Sequence, residues 1–161
     1  MKINFTPKRV RLTRIAIALI AISLAGYVAY AATQLSISNS GTVTIAAQNI
    51  QGITFSPPSS QPTCATQITY SDTPSAMAWG NIAQNANTNG YICVKNLGGT
   101  GTTYTVTTSV APRAGITVTY NGTSTLTSGS LLTGQTSLVN VVVSVALTAG
   151  TGSFSYTTTI A

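Results

Sequence analysis

The chain has 161 residues, enough for one domain with a real core, and a formal charge of +6. Five of its seven basic residues lie before position 15, so from Ala32 onward the charged side chains are Asp72, Lys95 and Arg113. That excludes the clustered Lys and Arg of a nucleic-acid partner, and the absence of His and Glu excludes carboxylate pairs and Ser-His-Asp or Cys-His catalysis. Neither a zinc nor an ordinary calcium ligand set is present, and no cofactor is expected.

In chain order, residues 1–14 form a basic n-region and 15–28, IAIALIAISLAGYV, an apolar h-region. Ala29-Tyr30-Ala31 follows as a small-x-small cleavage pattern, so residues 1–31 read as a secretory signal peptide cut between Ala31 and Ala32. The membrane is then met only in transit, and the product is secreted or held at the cell surface. The alternative is a retained helix. The apolar run from Ile15 to Ala32 is at the short edge of a span, and a type IV pilin keeps such a helix as its filament core. The junction Leu12-Thr13-Arg14-Ile15 departs from the processing site of that class.

Residues 32–48 read as an N-terminal donor-strand segment, with Leu35, Ile37, Val43 and Ile45 as its inserting side chains, on one face across Asn39 and Gly41. No charge lies between Ala32 and Gln61, so this edge-like segment lacks the charged residues that normally stop strand pairing between molecules. It either joins its own sheet or is donated to the next subunit, as in β-strand addition. A head-to-tail donation of this kind builds an open filament.

Residues 49–161 show period-two alternation. Tyr104, Val106 and Thr108 make one apolar face, Ile116, Val118 and Tyr120 another. Val139, Val141, Val143, Val145 and Leu147 make the longest, and Phe154, Tyr156, Thr158 and Ile160 the last. Gly-, Asn-, Pro- and Ser-rich breaks separate them. The pattern predicts eight to ten short strands in an all-β fold, a single antiparallel β-sandwich of jelly-roll or Ig-like type. Trp79 and the tyrosines are expected in its core.

Cys64 and Cys93 form an even pair in an exported chain, which reads as one disulfide; closing a loop of about 30 residues contributes roughly 3–4 kcal/mol. Asn121-Gly122-Thr123 is a hairpin turn signal and also a glycosylation sequon, which makes the chain a candidate glycoprotein. Lys95 and Asp72 are a possible surface ion pair.

The runs Ala78-Trp-Gly-Asn-Ile-Ala and Gly90-Tyr-Ile-Cys-Val-Lys-Asn-Leu-Gly-Gly-Thr-Gly-Thr-Thr-Tyr-Thr-Val resemble a pattern of secreted archaeal β-sandwich proteins. With the leader and the strand behind it, the chain resembles the TasA-like and archaeal bundling pilin group. The resemblance implies a jelly-roll-like sandwich and donor-strand polymerisation through the N-terminal segment. It also implies identical subunits joined head to tail, and lateral bundling of neighbouring filaments in a biofilm matrix. The proteolytic activity attributed to camelysin-type relatives does not carry over, since no His or Glu could support it. A monomeric adhesin-like surface domain remains the third alternative.

Overall fold

The computed structural model describes residues 39–47, 49–150 and 152–161. The signal helix, the cleavage site at Ala31 and Ala32, and the strand residues Leu35 and Ile37 lie outside the described residues.

The described chain is all-β, with two sheets facing each other across one core. Its strands are β1 (Ser40–Ile45), β2 (Ile50–Phe55), β3 (Met77–Ala78), β4 (Ala86–Asn96), β5 (Thr105–Val110), β6 (Ile116–Tyr120), β7 (Thr125–Thr127), β8 (Thr136–Val145) and β9 (Ser155–Ile160). One sheet has the order β3-β1-β9-β5-β7 and the other β2-β4-β8-β6. Every ladder is antiparallel except one: β1 runs parallel to β9, from Ser40 opposite Ser155 to Ile45 opposite Ile160. The expectation of a wholly antiparallel sandwich fails at that one pair. Alternation specifies which face a strand buries but not the direction of its neighbour.

The β-branched alternation folds as its parity requires. Val139, Val141, Val143 and Val145 of β8 are all buried, and the residues between them are half-buried on the outer face. Leu147 leaves the pattern. It is 70% exposed, because β8 ends at Val145 and a turn begins. Across the core, Val106, Tyr156 and Ile160 come from the first sheet, with Tyr104 just before β5, and Ile92, Val94, Val118 and Tyr120 from the second. The Tyr120 hydroxyl joins the sheets, 2.8 Å from both Thr108 Oγ1 and Thr158 Oγ1.

Cys64 and Cys93 are joined in a disulfide. Cys93 sits between Ile92 and Val94, so it points to the opposite face of β4 from those core residues. The bridge therefore fastens the segment between β2 and β3 over the outside of the second sheet. Tyr70 of that segment donates its hydroxyl to the Cys64 carbonyl at 2.7 Å. Lys95 Nζ lies 5.4 Å from the centre of the Tyr70 ring, a cation–π contact, while Asp72 is exposed. Gly52 and Ser71 exchange backbone hydrogen bonds at 2.8 and 2.9 Å, which covers the outer edge of β2 at that residue.

Candidate strand-docking site

The chemistry-bearing side chains of an active site are sparse. Among the described residues no three His, Cys, Asp or Glu side chains gather into a group that could hold a metal. A surface groove along β5, β6 and β7 is lined by residues such as Thr108, Pro112, Val118 and Ser124 and holds no titratable side chain. The feature with the most specific geometry is instead the slot that holds β1.

β1 is an interior strand of its sheet, with β9 on one side and β3 on the other. The sequence suggested an edge. The difference comes from β3, whose Ala78 and Met77 pair with Ser40 and Gly41. Thr42 to Ile45 have no partner on that side among the described strands, so the cover is partial. Val43 is 4% exposed and packs in the common core, and Ile45 is half-buried against it. These two of the four expected inserting side chains thus lie on one face of one strand, which is docked in its own chain.

Asn39 and Gly41, which interrupt the apolar face in the sequence, carry most of the specific contacts. Asn39 is buried. Its Nδ2 donates to the Gly80 carbonyl at 3.1 Å, and its Oδ1 accepts the Phe154 backbone N–H at 3.2 Å. Its carbonyl accepts the Trp79 N–H at 2.9 Å. One amide therefore ties the start of β1 to the turn after β3 and to the residue before β9. Such a group, once buried, is costly to leave unpaired.

Gly41 sits against the ring of Tyr156. A Cβ there would lie 2.5 Å from Tyr156 Cζ and 2.6 Å from its hydroxyl oxygen, closer than atoms can approach. The ring cannot readily yield, because Tyr156 is buried and packed between Trp79 and Phe154, with centroids at 6.1 and 6.4 Å. Burial pushes the Tyr156 phenol well above its ordinary value, and Tyr120 adds to the shift. Gly90 of β4 serves the same region from the other sheet, since a Cβ there would collide with Met77 Cε.

The connection from β1 to β2 is short. Ala46 and Ala47 donate to the Ile160 carbonyl at 2.8 and 3.3 Å, and Asn49 turns the chain with φ of 64°. Asn tolerates this left-handed conformation better than most residues. Asn121 lies in an exposed turn with φ of 49°, and its Oδ1 accepts the Asn140 N–H at 2.8 Å. It is remote in sequence from β1 and makes no part of the slot.

The sequence marked Val43 and Ile45 for the slot, and missed Asn39, Gly41 and Tyr156. A buried Asn and a Gly at two-residue spacing inside an apolar alternation was the available signal. No family model matches the chain, no curated protein matches it, and no solved structure matches its fold.

Proposed function

We propose that the chain is a secreted, non-catalytic structural subunit of an extracellular filament, polymerised by exchange of its first strand between copies. The observation that carries this reading is the position of β1. It is parallel to β9 and belongs to no hairpin with it, so β1 can leave without cutting any other connection in the sandwich. Its departure would open a slot beside β9 that fits the same strand from a second copy. Only the connection 46–49 would need a new path, because the contacts within the slot are the same in either arrangement.

In the same proposal the sandwich is jelly-roll-like and of the TasA-like and archaeal bundling pilin kind. Secretion, glycosylation at Asn121 and lateral bundling belong to it too. The disulfide supports an oxidising compartment. The docking of β1 in its own sheet is what a monomeric surface domain would also show, and that is the second reading.

Val43→Asp tests the proposal. A carboxylate in this apolar position loses the burial of a valine and must be desolvated. Negative-stain images of the secreted product should then show no filaments, with the sandwich still giving a β-rich circular dichroism spectrum. Normal filaments from that variant would overturn the assignment.

A further inference from the structure

We infer that Asn39-Ser40-Gly41 is a register code, which the slot beside β9 reads through the Tyr156 ring and the backbone of Trp79, Gly80 and Phe154. The code admits the first strand of a copy of this chain in one register. The second copy rests on the strand-exchange reading; the code itself applies whichever chain supplies the strand.

The need for such a code follows from strand geometry. A shift of β1 by one residue turns Val43 to solvent, so burial alone opposes it. A shift by two residues keeps every side chain on its face, so parity does not oppose it. Here the two interrupting residues act. A two-residue shift in one direction brings Asn39 over the Tyr156 ring, and in the other it brings Val43 there. Either side chain carries the Cβ that the ring excludes, 2.5 Å from Tyr156 Cζ. Both shifts also withdraw the Asn39 amide from the Gly80 carbonyl and the Phe154 N–H. Two independent penalties therefore fall on the same error. Ser40, between them, is exposed and takes no part in either.

The test is to move the code. Thr44 lies opposite Thr159, and Thr42 opposite Thr157, on the outer face of the sheet. Full-length chains carrying Thr44→Cys with either Thr159→Cys or Thr157→Cys are treated with a short bis-maleimide, and the cross-link sites are mapped by mass spectrometry. The unshifted chain should link position 44 to 159. Gly41→Asn with Val43→Gly places the same Asn-x-Gly two residues later, and should move the link from 159 to 157. A link that stays at 159 overturns the code.

A second pair decides the matter if the shifted chain does not fold. Gly41→Val should lower the 44-to-159 yield about tenfold, as overpacking against a fixed ring requires, while Ser40→Val leaves it unchanged. Equal yields from the two would also overturn the proposal. The mass of the product separates the two readings. Links within single chains alone would refute strand exchange and leave the register code standing.

Discussion

Asn96 is buried at the end of β4 and holds three backbone groups at once. Its Nδ2 donates to the carbonyls of Thr100 and Leu131, both at 2.8 Å, and its Oδ1 accepts the Gly98 N–H at 2.8 Å. Asn39 does similar work at the start of β1. In a chain so poor in charge, buried amides take the part that ion pairs play elsewhere. Asn96→Leu would leave those three groups unpaired, and should cost about 1–3 kcal/mol in urea denaturation. Titration gives a second expectation at this scale. Burial raises the phenols of Tyr104, Tyr120 and Tyr156 above the ordinary 10.0. The folded chain then favours the neutral phenol, so their contribution is complete below pH 10 and falls as the unfolded chain ionises above it. With one acidic side chain and no His in the sequence, there is little to drive acid unfolding. Melting temperatures should therefore be nearly flat from about pH 3 to pH 9 and drop above about pH 10. A steep loss between pH 5 and pH 3 would contradict this.

Among the elements, the segment between β2 and β3 is the clearest case of structure held from outside the core. It contains only a single 3-10 turn, Cys64–Thr66, and the isolated bridge from Ser71 to Gly52. The disulfide closes a separation of 29 residues, so reduction should lower stability by roughly 3–4 kcal/mol on loop-closure entropy. Reduction should also make this segment the first site of proteolytic cutting, which limited digestion with and without reductant would show. The elements also show what could be read from sequence. The faces of β6, β8 and β9 were legible, because a period of two fixes which residues share a side. Pairing direction was not, and neither was β3. Two residues carry no periodic signal, yet Met77 and Ala78 turn β1 from an edge into an interior strand. The disulfide was legible from cysteine count and context. The slot was half legible: Val43 and Ile45 stood out as apolar, while Asn39 and Gly41 looked like interruptions until Tyr156 was placed beside them.

At the scale of the whole molecule, parts of the sheet edges are blunted by geometry rather than by charge. β3 and β7 have two and three residues. Ser71 closes part of β2, and Thr123 pairs with Tyr120 at the end of β6. Unpaired edges invite association, and short or covered ones resist it. Pairing is disfavoured where an edge is short or bridged, while Thr42 to Ile45 and most of β2 and β6 keep one open side among the described strands; exchange of β1 is the proposed route between copies. Lateral bundling, if it occurs as proposed, would use the Thr- and Ser-rich outer faces rather than backbone ladders. It should therefore respond weakly to salt, which light scattering of filament suspensions between low and high ionic strength would measure.

In the proposed filament, β1 of one copy occupies the slot of another. One chain carrying Thr44→Cys and a second, separately tagged, carrying Thr159→Cys are co-expressed and the secreted product is cross-linked. These positions face each other across the β1–β9 ladder, and neighbouring strands lie about 4.8 Å apart. Strand exchange predicts a covalent species containing both tags. A product with no mixed-tag species, from chains that link efficiently when both cysteines share one polypeptide, would show that the first strand stays at home and would contradict the account.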